Sequence, residues 1–242
     1  SIKNHLSIGS DWEWFSAGAE AAAREVGWQE GGRLDFAAAF RDLGAPPPIF
    51  SEGRLARSRT LLGEGLGSLR LADLRSILRD HAGLARCTDP AIEPDREDYY
   101  TVCMHRGPSR TTASLVAELA QDPEGPRAVR VAFGRPCASV YFPLLVAGEL
   151  PALLAGAGDE GGTWWTFESL AAAAEADVGA ASRIADTLGA LEQELETALA
   201  DALPSLRGDG TGARATEFMG GIVARVDTSA RALLATLDAR HG

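Results

Sequence analysis

Along this chain, apolar and polar positions settle into two kinds of pattern. The opening run alternates, with Ile2, Leu6 and Ile8 as its apolar members, and reads as a strand. After Asp11-Trp12-Glu13-Trp14-Phe15 comes an Ala-rich stretch that predicts a helix ending near Gly27, with Ser10 or Asp11 as its cap. Residues 34–40 predict one or two further helical turns, and Pro46-Pro47-Pro48 breaks the chain into a surface loop. Leu55, Leu61, Leu62 and Leu66 recur at helical spacing, and Gly65 and Gly67 end that helix. A second helix is predicted over 68–81, with Leu71, Leu74, Ile77 and Leu78 on one face. Past a polar loop at 88–99, strand-like runs at 99–105, 111–119 and 128–133 are separated by turn residues, which predicts an antiparallel meander. Gly134-Arg135-Pro136 breaks into a further apolar run at 139–144. From Trp164 the pattern is helical to about Ala202, and again from Thr216 after a Gly-rich turn at 208–212. The expected fold class is α+β, one domain over 1–242 with a mainly helical part from 164 to 242.

Composition narrows the partners. The 242 residues are 45% hydrophobic, enough for a sizeable core. Acidic residues outnumber basic ones 34 to 23, and a net charge of −11 repels a phosphate backbone, so nucleic acid is not an expected partner. No window approaches the apolar length of a membrane span, so no membrane is expected either. Cys87, Cys103 and Cys137 are odd in number and lack a CxxC pair; they read as free thiols in a reducing, cytoplasmic compartment. His5, His81, His105 and His241 are too scattered to predict a metal by spacing. His81, at a predicted helix end, reads as a partner of the helix dipole. The aromatics Trp12, Trp14, Phe15, Trp28, Phe36 and Phe40 read as packing residues, and Glu192, Glu194 and Glu196 as charges on a solvated face.

The familiar catalytic signatures are absent: there is no GxSxG elbow, HExxH, Walker loop or strand-borne GxGxxG. The glycines at 63, 65 and 67 lie at a helix end, where they cannot aim N–H groups at a phosphate. What remains is a set of polar residues on predicted strands: Asn4, His5, His105, Arg110, Thr111, Thr112 and Ser114. Such residues are either satisfied cross-strand hydrogen bonds or the lining of one pocket.

Five segments carry a resemblance. Asn4-His5-Leu6-Ser7-Ile8 resembles the Ser-Asn-x-x-Ser-Ile strand of the secernin-type dipeptidases, with Lys3 in place of the usual Ser. Residues 54–81 are similar to that family's helical pair ending in Ile-Leu-Arg-Asp-His. Cys103-Met104-His105 with Thr111-Thr112-Ala113-Ser114 resembles its Cys-Met-His and Thr-Thr-Ala-Ser segments. Residues 134–143 resemble its Gly-Thr-Pro-x-x-Ser-x-Phe-x-Pro strand, and Trp164-Trp165 before a helix also fits. The matches run in order from residue 1 to about 170.

The resemblance implies a cysteine peptidase of the N-terminal-nucleophile class, related to penicillin V acylase and bile salt hydrolase. It implies αββα layers, of which this chain would be a C-terminal portion with a helical tail. The nucleophile of that class is a Cys whose own α-amino group is its base. Cys87, Cys103 and Cys137 are internal, so the resemblance places the nucleophile upstream of Ser1 and predicts a chain inactive by itself. It gives Asn4 the role of oxyanion donor. His105, Arg110, Thr111, Thr112 and Ser114 fall to the substrate side, and no metal or cofactor is implied. The expected partners are a small peptide or amide substrate and an upstream chain carrying the nucleophile, with homo-oligomerisation left open. Two alternatives stand beside the dipeptidase: an acyl-amide hydrolase or acyltransferase of the penicillin acylase type, and a non-catalytic binding or scaffold protein.

Overall fold

A computed structural model describes residues 8–28, 32–40, 49–82, 101–105, 110–118, 125–156 and 159–239. It is mixed α and β, and the chain divides into two compact units: residues 1–66 with 97–101, and residues 67–96 with 102–242.

In the first unit, helix α1 (Ala17–Glu25) starts after Ser16, later than the expected cap at Ser10 or Asp11. It ends at Val26, before Gly27 with its positive φ of 73°. Helix α2 (Phe36–Phe40) follows, where Asp35 accepts a hydrogen bond from the Ala38 backbone N–H at 2.8 Å. Trp12 stacks on Phe15 and donates its indole N–H to the Leu34 carbonyl, while Phe36 and Phe40 pack ring on ring. Trp12, Phe15 and Phe40 close a small core around Ala23, Leu34 and Ala39. Trp14, by contrast, projects into solvent at 83% exposure. Helix α3 (Ile49–Glu64) completes the unit's helices, at the place its leucine spacing predicts.

The second unit begins with α4 (Leu71–Leu78), shorter at both ends than the predicted 68–81. The Asp73 carboxylate accepts from the Arg70 backbone N–H at 2.8 Å and closes its first turn. The meander is an antiparallel sheet in the order β1 (Ala113–Ala117), β2 (Ala128–Phe133), β3 (Phe142–Leu145). Its register pairs Leu115 with Val131 and Arg130 with Pro143. Of the run expected as a strand at 99–105, the described residues 101–105 carry no ladder, and the third strand of the sheet comes from the run at 139–144 instead. Tight local pairing of Met104 with Thr111 takes up the hydrogen bonds that a strand would have offered.

Helices α5 (Ala152–Ala155), α6 (Thr163–Ala176), α7 (Val178–Ala202) and α8 (Thr211–Asp238) complete the unit. The long helical stretch from Trp164 is thus two helices. Asp177 divides them, its extended backbone ending α6 and its carboxylate capping Ala180 in α7. Every third or fourth residue of α7 (Ile184, Leu188, Leu191, Leu195, Leu199) and of α8 (Met219, Ile222, Val226, Leu233) is buried. They meet Phe142, Leu144, Phe167 and Leu170 in the main core. Val116, Ala132 and Tyr141 instead meet Leu71, Leu74 and Leu78, so α4 packs on the sheet through a separate cluster. Gly148, with φ 75°, lets the chain after β3 pass against the start of α8: a Cβ there would sit 2.5 Å from the Gly212 carbonyl oxygen.

Of the three glutamates of α7 expected on a solvated face, Glu194 lies there and Glu192 and Glu196 do not. Glu192 is buried; it accepts the Tyr141 backbone N–H at 2.8 Å and pairs with Arg79 at 2.6 Å. Glu196 bridges Arg75 at 2.9 Å and Arg130 at 3.1 Å. Glu194, half exposed, pairs with Arg225 on α8. Spacing of i, i+2, i+4 spreads them around the helix, and two of the three turn inward toward the arginines of α4 and β2.

Candidate metal centre

The geometry begins at the end of α4. Arg79 donates to the carbonyls of Pro136 (2.9 Å) and Ser139 (3.2 Å), fastening a 3-10 turn, Pro136–Ala138, to the helix. The same guanidinium lies over the Tyr141 ring. The Asp80 carbonyl accepts the Cys103 backbone N–H at 3.1 Å, and the Asp80 carboxylate accepts from Ala82. These bonds set three segments side by side. They bring His81, Cys103, His105 and Cys137 together, with one ligand atom of each within 4.8 Å of all the others.

At the centre is the His105 ring. Its Nε2 lies 3.1 Å from His81 Nε2, 3.3 Å from Cys103 Sγ and 3.1 Å from Cys137 Sγ. Its other nitrogen, Nδ1, faces Glu175 Oε1 on α6 at 3.0 Å. Glu175 in turn lies 2.7 Å from Nε of Arg135, a side chain only 1% exposed. Arg135 also pairs with Glu168 (2.8 Å), and Glu168 with Arg110 (2.9 Å). Charges therefore alternate from the surface at Arg110 inward to His105. Cys103 is fully buried, and Cys103 and Cys137 are both reduced. The hydrogen bond with Cys137 pulls the Cys103 thiol well below its ordinary pKa; burial opposes this, and His105 and His81 reinforce it.

His81 sits just beyond the last turn of α4, with its ring against that of His105. The residues assigned to the substrate side are placed as follows. His105 is the hub of the cluster. Thr111 accepts the Met104 N–H on its hydroxyl (3.0 Å) and donates its own N–H to the Met104 carbonyl. The Thr112 carbonyl accepts both the Gly134 N–H and the Trp164 indole N–H, each at 2.8 Å, while its side chain is exposed. Ser114 shares a 2.7 Å hydrogen bond with the Tyr141 hydroxyl. Arg110 is half exposed on Glu168. Asn4 lies outside the described residues.

Sequence reasoning missed the four-residue cluster and its carboxylate partner. His81 and His105 are 24 residues apart and Cys137 is 32 beyond His105, so no spacing rule joins them. The Cys-x-His of 103–105 was the one local signal, two ligands two residues apart on one short segment. No protein-family model matches the chain, and no solved structure matches it.

Proposed function

We propose that this chain is part of an amide hydrolase of the secernin type, acting on a small peptide or related amide. One observation supports the reading. Four of the five segments that carry the resemblance interlock in the fold, although they are dispersed from Arg79 to Trp165. The Asp80 carbonyl holds Cys103, Met104 and Thr111 exchange two hydrogen bonds, Thr112 accepts from Gly134 and Trp164, and Cys137 meets His105. Segments with independent packing roles need not meet; segments serving one site must.

In this reading the αββα layering of the class frames the site, and a thiolate attacks the amide carbonyl. A thioester forms as the amine leaves, and water releases the acid. The attacking thiol is the N-terminal Cys that the resemblance implies. Cys103 is unsuited to that role, because a fully buried sulfur enclosed by His81, His105 and Cys137 offers no approach to a carbonyl. Asn4 donates to the oxyanion. Arg110 and Thr112, the exposed members of the set, face the substrate, while His105, Thr111 and Ser114 position the segments that bear them.

The test is amine release from a panel of dipeptides and N-acyl amino acids by the protein purified from its native source. Turnover of dipeptides that is abolished by thiol alkylation is expected. Turnover confined to N-acyl substrates moves the reading to the acylase relatives, and no release from any member of the panel overturns it.

A further inference from the structure

We propose that His81, Cys103, His105 and Cys137 bind one zinc ion in a closed, structural site. The inference uses segments on which the amide hydrolase reading also draws, but it does not rest on that reading, in which no metal takes part.

The donor set carries it. Two thiol sulfurs and two imidazole nitrogens are the ligands of a tetrahedral zinc site, and they are too soft for calcium or magnesium. With Zn–S of about 2.3 Å and Zn–N of about 2.0–2.1 Å, the edges of such a tetrahedron are about 3.3–3.8 Å. The three contacts around His105 Nε2, at 3.1, 3.3 and 3.1 Å, lie at or just short of the lower end of that range, and all the ligand atoms lie within 4.8 Å of one another. A metal entering the cluster therefore needs the contacts around His105 to open by a few tenths of an ångström and any wider pair to draw in. Four protein ligands leave no open position for water or substrate, which makes the site structural.

The shell beyond the ligands fits as well. Glu175 faces His105 Nδ1, so the Nδ1–H donates to the carboxylate and the Nε2 lone pair points into the cluster. Arg135 holds Glu175 from the far side. Binding replaces the two thiol protons with one divalent cation, Zn²⁺ + 2 RSH → Zn(SR)₂ + 2 H⁺, so the loaded centre is neutral and suits its burial. The alternative fate of two neighbouring thiols, a Cys103–Cys137 disulfide, would leave His81 and His105 facing each other with no shared cation.

Two measurements on the native protein test this. Elemental analysis after exhaustive dialysis is expected to find one zinc per chain, and replacement by cobalt(II) is expected to give the visible absorption of a tetrahedral thiolate site. Glu175→Gln, which removes a partner of the ligand and no ligand, is expected to lower zinc affinity roughly 10–100-fold. Cys137→Ser is expected to lose the cobalt–thiolate absorption in part and His81→Gln to shift it. If either variant fails to fold, the wild-type metal content still decides. A native protein that retains no zinc, that gives no tetrahedral cobalt spectrum when reduced and reloaded, or that contains a Cys103–Cys137 disulfide overturns the proposal.

Discussion

Glu192 ties α7 to the turn that carries Cys137. It sits buried on α7 and takes hydrogen bonds from Arg79 and from the Tyr141 backbone, while Arg79 in turn fastens the turn that carries Cys137. Removing one partner of a buried ion pair leaves the other charge without compensation, which costs about 3–5 kcal/mol. Glu192→Ala is therefore expected to lower the unfolding free energy by about that amount in urea titration. A loss under about 1 kcal/mol, the scale of an exposed pair, would contradict the burial described here.

Tyr141 gives a second residue-scale prediction. Burial raises its phenol to about 12, against the lowering influence of the Ser114 hydrogen bond and Arg79. The folded state thus keeps a proton that the unfolded chain releases near pH 10, so the folded state binds more protons between those values. Its contribution to stability is complete below about pH 10 and falls through about pH 12, by roughly 1.4 kcal/mol per pH unit at most. Ultraviolet titration is expected to show one tyrosine ionising late; ionisation of all tyrosines near pH 10 would contradict this.

Among the elements, the helices were legible because periodicity reports burial of one face, and the leucines of α3, α4 and α7 recur at the helical interval. Their boundaries were less so. The break at Asp177 was invisible in an Ala-rich stretch of high helix propensity, because it depends on one carboxylate turning back to cap Ala180. Asp177→Ala is expected to cost about 0.5–2 kcal/mol, measured by thermal or urea unfolding, and Asp177→Asn to recover most of it. The run at 99–105 looked like a strand because β-branched and aromatic residues cluster there. Yet the side chains at 103 and 105 are used by the cluster, and Met104 pairs locally with Thr111. The solvated face predicted on α7 failed at Glu192 and Glu196 for a similar reason: their partners, Arg75, Arg79 and Arg130, come from elements more than sixty residues away.

At the scale of the molecule, α+β class and the helical C-terminal region followed from the chain's pattern, and the described residues bear both out. Among those residues no helix is long and apolar enough to cross a membrane. The candidate site was legible only in pieces. His105, Arg110, Thr111, Thr112 and Ser114 could be singled out as polar residues on predicted strands, but only His105 among them meets His81, Cys103, Cys137 and Glu175, and that meeting is a property of the fold, set by the bonds from Arg79 and Asp80. The candidate metal centre exists only through that convergence.

X-ray absorption at the zinc edge of the native protein measures it most directly. The arrangement predicts a first shell of two sulfurs at about 2.3 Å and two imidazole nitrogens at about 2.0–2.1 Å. A shell of oxygens without sulfur, or no zinc edge at all, would contradict it.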